Sequence, residues 1–386
     1  MTKQKVHSLT GRITPDLMRT AFKAVKRNRG AAGIDKVSIS MFETNLEDNL
    51  QALMKDLKKG SFEPKPLRRV FIPKNEKEFR PLGIPSVRDR VAQEVVRRLL
   101  TPIFEPMFHP SSFAYIQDRN AHQALDALVA LHRDGLSVVL DADITGFFDN
   151  LRHDVIMSAV AEEIADGNIL RLIEKFLKSG VMEYGVFKPT SIGTPQGGVI
   201  SPLLANIVLN YMDWQLHNAG FAFVRYADDF VVVCESTLRA EEARSFVENI
   251  LDKLGLSLSP SKTKIVSYGK GYSFLGFVLS STSRRMRPKS VKKFKEKVRE
   301  LTHRKRNFEA QVIVDLNRVI GGTARYFATS FFTGREGFHK LDSWIRMRLR
   351  CMKFKRKSRF DNRKLRVKKF TKLGLLTLES FCVVAR

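Results

Sequence analysis

Apolar positions along this chain alternate between helical and strand-like rhythms. Over residues 14–57 they recur at helical spacing, as Leu17, Ala21 and Val25 and then Met41, Leu46, Leu50, Leu53 and Leu57, with a glycine-rich loop at residues 28–33 between the two runs. The pattern predicts a helical N-terminal extension. Pro64, Pro66, Pro73, Pro81 and Pro85 then punctuate short β-like runs near residues 69–72, and residues 87–104 read as a helix. Residues 137–144 form a Val/Leu/Ile run bounded by Gly135 and Gly146, the signature of a buried strand, and residues 154–165 follow as a helix. Residues 221–234 predict two strands joined by a tight turn at Tyr226-Ala227-Asp228-Asp229. Residues 237–254 predict a helix with Phe246, Ile250 and Leu254 on one face, and residues 264–266 and 272–279 return to strand. Beyond Pro288 the spacing is helical throughout. Val291, Phe294, Val298 and Leu301 make one stripe, Val312, Leu316, Val319 and Ile320 a second, and Leu341, Ile345 and Leu349 a third. A boundary is expected near residues 280–286, between a mixed body and a helical module.

Composition narrows the class. A chain of 386 residues that is 43% apolar can bury the cores of two to three domains. No apolar run approaches the roughly 20 residues a membrane span requires. Cys234, Cys351 and Cys382 show no C-x-x-C spacing, which predicts neither a disulfide framework nor a zinc site.

Charge changes the picture more. The net charge is +27, and residues 284–386 alone hold 31 basic residues against 8 acidic ones, a net +23. An excess of that size, interleaved with Phe and Tyr, points to a polyanionic partner, with nucleic acid favoured over a membrane surface.

Against that basic background, two adjacent acids sit between strongly apolar strands. Burying Asp228 and Asp229 without compensation costs several kcal/mol, so the turn calls for cations. Asp143 ends a second apolar run, and if the two strand units lie side by side, three carboxylates converge. Hard oxygen ligands in that number suit Mg²⁺, and two such ions can serve an in-line phosphoryl displacement. The bland reading of Asp-Asp alone is turn chemistry, since Asp is common in turns.

Taken with the rest of the chain, Tyr226-Ala227-Asp228-Asp229 resembles the catalytic turn of reverse transcriptases, and the other blocks of that family occur in order. Residues 143–150, Asp-Ile-Thr-Gly-Phe-Phe-Asp-Asn, resemble the first catalytic block. Residues 193–206, beginning Gly-Thr-Pro-Gln-Gly-Gly, resemble the nucleotide-facing block. Residues 259–264 and 274–277 are similar to the two blocks that follow the turn, while Ile72-Pro73-Lys74 and residues 80–85 match the fingers.

The resemblance implies an α+β right-hand polymerase fold, with fingers and a palm around a small antiparallel sheet, followed by an all-helical thumb. It implies that Asp143, Asp228 and Asp229 hold two Mg²⁺ ions, for which Mn²⁺ can substitute, with Ile144 at both the metal and the substrate. Lys74 and Arg80 would pair with the incoming triphosphate. Phe148 would lie under the nucleotide sugar and reject a 2′-hydroxyl, although Phe147 and Phe148 could both be core; as strand neighbours they would face opposite ways. Gln196 would lie among small residues at the nascent base pair. Lys262 would protonate the departing pyrophosphate or contact it without proton transfer.

Within the family, residues 27–35 are similar to the extra N-terminal block of group II intron and related enzymes. Residues 316–327 and 341–350 resemble the thumb or maturase domain of intron-encoded proteins. The chain departs from that pattern at Gly322, where the family places a Trp beside the glycine, and at residues 114–119, where the family carries a Gly-Phe-Arg-Pro-Gly-Arg run and this chain reads Ala-Tyr-Ile-Gln-Asp-Arg. No Cys/His cluster follows the thumb, so no metal-dependent endonuclease is expected.

The expected organisation is a helical extension (1–63), fingers and palm (64–283), a helical thumb or maturase domain (284–352) and a basic nucleic-acid-binding tail (353–386). The expected function is RNA-directed DNA polymerisation with a maturase role in intron splicing and mobility. Its partners would be an RNA template such as intron RNA, a DNA or RNA primer and dNTPs, in a bacterial cytoplasm, with no membrane. Two alternatives remain open: a free-standing intron-like enzyme of DNA repair or phage defence, and a non-catalytic RNA-binding maturase.

Overall fold

The computed structural model describes residues 5–73, 78–194 and 197–382. It is α+β, as the sequence predicts. The N-terminal extension is helical: Pro15–Arg27, Ile39–Thr44 and Leu46–Lys59. Each boundary has a local cause. Thr14 accepts a hydrogen bond from the Leu17 amide at 3.3 Å and starts the first helix, while Gly60, at φ +74°, closes the third in a left-handed cap that other residues adopt at a cost.

Eleven strands make three sheets among the described residues: β1 (Leu67–Pro73), β2 (Phe79–Ile84), β3 (Val138–Asp143), β4 (Val181–Glu183), β5 (Val186–Lys188), β6 (Ala222–Tyr226), β7 (Asp229–Cys234), β8 (Lys264–Ser267), β9 (Tyr272–Phe274), β10 (Phe277–Leu279) and β11 (Arg284–Met286). The sheet orders are β2-β1-β4-β5, β6-β7-β3-β8 and β11-β10-β9. The first sheet is not wholly antiparallel, because β1 pairs parallel with β4. The long connection between those two strands, which carries β2, β3 and several helices, permits that direction. The single strand expected over residues 272–279 is two strands, because Leu275 (φ +44°) and Gly276 (φ +86°) turn the chain between them.

The chain divides into two compact units: residues 1–120, 140–232 and 238–264 form one, and residues 121–139, 233–237 and 265–386 form the other. In the first unit, the helix Val87–Phe104 starts at Ser86, whose hydroxyl accepts from the Asp89 amide at 3.0 Å. The helix Ser201–Asn218 is buried over most of its length, with Leu203 through Leu209 almost closed to solvent. Burial on all sides explains why it shows no amphipathic stripe.

In the second unit, the helix Ala121–Arg133 is held by its own C-terminal end. The His132 ring stacks on Tyr268 with centroids 3.6 Å apart and planes within 5°, and its Nε2 meets the Tyr272 hydroxyl at 2.9 Å. Three helices follow β11, Pro288–Leu301, Ala310–Phe327 and Arg335–Phe354. The middle one buries Ile313, Leu316, Ile320, Ala324 and Phe327, so its packed face is rotated from the expected stripe, and Val312 and Val319 lie at its edge.

Residues 355–382 pack rather than trail. Leu365, Phe370 and Leu378 are buried, and the Asp342 carboxylate accepts from the amides of Leu378 (2.8 Å) and Glu379 (3.1 Å). No helix among the described residues is long and apolar enough to cross a membrane.

Candidate active site

The turn between β6 and β7 is made by Ala227 and Asp228, with Ala227 in the left-handed region at φ +60°. Around it Phe223, Val224 and Phe230 through Val233 are buried, which anchors both strands and leaves the turn at the edge of the core. β7 lies beside β3, whose last residue is Asp143. Adjacent strands thus bring Asp143 and the Asp228-Asp229 turn to one end of the sheet.

Their electrostatics follow from that placement. Asp228 is pushed above the usual carboxylate range, first by burial and then by Asp143, with Arg80 and Lys262 pulling it back. Asp229 keeps an exposed surface, yet loss of hydration and the charges of Asp228, Asp143 and Asp141 push it up to about 6. Asp141 is also raised by burial and steadied by Lys264, 3.6 Å away. Negative charge here exceeds what the neighbouring cations offset.

Lys262 reaches this cluster through backbone pairing. The Ser259 amide donates to the Asp143 carbonyl at 2.7 Å and the Thr145 amide to the Ser257 carbonyl at 2.9 Å, a bridge that places Ile144 opposite Leu258. From that frame the Lys262 ammonium donates to Asp143 Oδ2 at 2.6 Å. Among the described residues no group of three or more His, Cys, Asp or Glu side chains is drawn together as a metal-ligand set. The donor chemistry nevertheless fits a hard divalent cation: every donor is oxygen, and the raised carboxylates mark unmet negative charge.

Phe147 and Phe148 lie in a helical turn, Phe147–Asn150, not in a strand. Gly146 at φ +49° starts that turn. Their rings meet edge to face at 5.2 Å, Phe147 buried and Phe148 half-buried, so one of the two is core and the other is available. The loop that follows β5 is fastened to this turn. The Thr194 amide donates to the Phe148 carbonyl at 2.7 Å, and a side chain on Gly193 would strike the Asp149 carbonyl at 2.7 Å. Past residue 196, Gly197 presses on the β2 strand, where a Cβ would come within 2.6 Å of the Gly83 carbonyl. Gln196 and Lys74 lie outside the described residues. Arg80 is exposed on β2, opposite Ile72, and close enough to Asp228 to lower its pKa.

Two residues escaped the sequence reading. Tyr115 is an exposed residue at φ +57° whose phenol is pushed up by partial burial and then by Tyr226 and Asp228, so it faces the site. Its signal was the departure at residues 114–119. Arg225 is a fully buried cation inside β6, and its signal was a lone charge in the run Phe-Val-Arg-Tyr.

Comparison with known proteins gives independent findings. Residues 72–279 match the family described as reverse transcriptase (RNA-dependent DNA polymerase), and residues 291–371 match the group II intron, maturase-specific domain. Protein YkfC of Escherichia coli (strain K12) is 32% identical over 303 residues, 68% of this chain and 80% of that protein. The group II intron-encoded protein LtrA of Lactococcus lactis subsp. cremoris is 29% identical over 336 residues, 69% of this chain, and the match spans 55% of its own length. Among solved structures, telomerase from Candida albicans with a fragment of telomeric RNA aligns with 86% of this chain and 67% of its own, at a TM-score of 0.47 and 14% identity.

Proposed function

The chain belongs to the reverse transcriptase family of RNA-directed DNA polymerases and carries a group II intron maturase-specific domain, and from that premise we propose that it copies intron RNA into DNA with Asp143, Asp228 and Asp229 as the metal-holding residues. The observation that carries this reading is the meeting of Asp143 with the raised pair Asp228 and Asp229 at the end of one sheet.

Two Mg²⁺ ions bound there would activate the primer 3′-hydroxyl and offset the charge that develops on the leaving pyrophosphate. The chain's own groups do the rest. Asp143 and Asp228 would be the principal metal-holding carboxylates, the more exposed Asp229 would contribute from the edge of the site, and Ile144 would line it through its position after Asp143. Arg80 offers a fixed cation to the triphosphate beside Asp228. Lys262, tied to Asp143 at 2.6 Å, is placed to pass to the pyrophosphate once the carboxylate has another partner. Phe148 presents its half-buried ring to the sugar, from a turn locked by the Thr194 amide. Lys74 and Gln196, outside the described residues, would add nucleotide contacts by their place in the family's blocks.

The maturase role rests on residues 291–371 and on their basic surface. Sequencing the RNA that co-purifies with the protein tests it: enrichment of an intron RNA is expected, and a free-standing enzyme would show none. For the chemistry, Asp228→Asn is expected to abolish RNA-templated dNTP incorporation in Mg²⁺; unchanged incorporation would overturn the assignment.

A further inference from the structure

Arg225 and Asp213 are both wholly closed to solvent. The Arg225 guanidinium donates from Nε to Asp213 Oδ1 at 2.7 Å and from Nη2 to Asp213 Oδ2 at 2.5 Å, a two-pronged pair. Its remaining nitrogen, Nη1, donates to Asn206 Oδ1 at 2.9 Å and to the carbonyl of Ala227 at 3.0 Å. Ala227 is the residue at φ +60° that sits immediately before Asp228. A non-glycine residue holds that conformation only where its surroundings over-determine it.

Asp213 and Asn206 are on the helix Ser201–Asn218, buried among apolar side chains. Asn206 also donates to the Ala114 carbonyl at 2.7 Å, next to Tyr115. The Arg225 backbone is paired as well: its amide donates to Ser111 and its carbonyl accepts from Phe113. One guanidinium thus links the helix to the catalytic turn directly, and through Asn206 and its own backbone to the segment bearing Tyr115. Apolar residues can replace a buried ion pair without loss of stability. Only the guanidinium supplies the donor that reaches Ala227 while both carboxylate oxygens stay satisfied.

We propose that the Arg225–Asp213 pair is a positioning device for the polymerase turn, holding the Ala227 carbonyl so that Asp228 and Asp229 keep the separation from Asp143 that metal binding requires. This rests on the reading of those three carboxylates as the metal site. Arg225 touches no substrate and acts through the backbone of the turn.

The test compares Arg225→Lys, which keeps the charge opposite Asp213, with the apolar double variant Arg225→Met/Asp213→Leu. Each is measured for thermal melting, affinity for a primed RNA template, dNTP KM, kcat, and the Mg²⁺ concentration at half-maximal rate. The expected result is a folded protein with template affinity and dNTP KM within about twofold of the parent, kcat reduced about 30-fold or more, and a higher Mg²⁺ requirement, the loss of one positioned group. A folded variant with parental kcat and Mg²⁺ dependence overturns the proposal. Failure of both variants to fold overturns it too, because the pair would then be holding the domain and not the turn. Asp228→Asn, run alongside, separates the two ideas. If it leaves activity intact the metal site itself is misassigned, whereas an inactive Asp228→Asn beside fully active Arg225 variants removes only the positioning role.

Discussion

At the end of the β6-β7-β3 edge, Asp141, Asp143, Asp228 and Asp229 lie near enough for their charges to raise the pKa values of Asp141, Asp228 and Asp229 against few cations, whereas residues 284–386 spread 31 basic side chains against 8 acidic ones over a run of helices. Both regions are electrically unbalanced, and they tolerate it differently. In the first, the charges are few, partly buried and held by backbone pairing, so repulsion appears as raised pKa values. In the second, charges such as Lys357, Arg359, Arg363 and Lys368 are exposed, and water and salt screen them. Concentrated charge on rigid strands suits chemistry, which needs geometry. Dispersed charge suits grip, which needs only a sign.

That contrast can be broken most sharply at Asp143. Asp143→Asn should lower kcat by about 10³-fold, the upper range for one preorganised group, while affinity for a primed RNA template stays within a factor of two. A parallel loss of affinity in a filter-binding titration would mean that the two regions are not separable.

Next in size is the turn bearing Phe148. Phe148→Ala should cut discrimination between deoxy- and ribonucleotides by about 10- to 100-fold, read as the ratio of kcat/KM values. An unaltered ratio would return Phe148 to the core beside Phe147.

The basic region gives a milder effect of another kind. Changing Lys357, Arg359, Arg363 and Lys368 together to Gln should weaken nucleic-acid affinity about tenfold and reduce the log–log salt slope by about 3. The kcat at saturating template should not move. A slope that stays put would show that these exposed cations touch no phosphate.

The smallest effect concerns stability. Asp229 is raised from 3.8 to about 6, so the folded protein binds its proton more tightly than the unfolded chain does. Stability from this group is therefore lost as pH rises through that window, and the penalty is complete by neutral pH. In metal-free buffer, Asp229→Asn should raise Tm by about 2 °C at pH 7.5 and by less at pH 5.5. A gain that grows on acidification would contradict the sign.

Much of this was readable from residues alone. The turn at Asp228 and Asp229 was legible because apolar strands on both sides leave a charged pair nowhere else to go, and the three thumb helices because their stripes repeat at 3.6 residues. The helix Ser201–Asn218 was not, since a segment buried all round carries no amphipathic period. Nor was the break at Leu275 and Gly276, where a positive φ at a leucine has no compositional mark.

What the one-dimensional pattern determined by itself was most of the elements and the charged turn at Asp228 and Asp229, because hydrophobic periodicity and the cost of burying charge act locally. Which charges face each other was decided only by tertiary structure. Lys262 meets Asp143 across 119 residues, and Arg225 finds Asp213 on a helix whose own sequence betrays no partner. Strand order and helix docking set those distances, and an electrostatic contact depends on separation in space, which spacing along a chain does not encode.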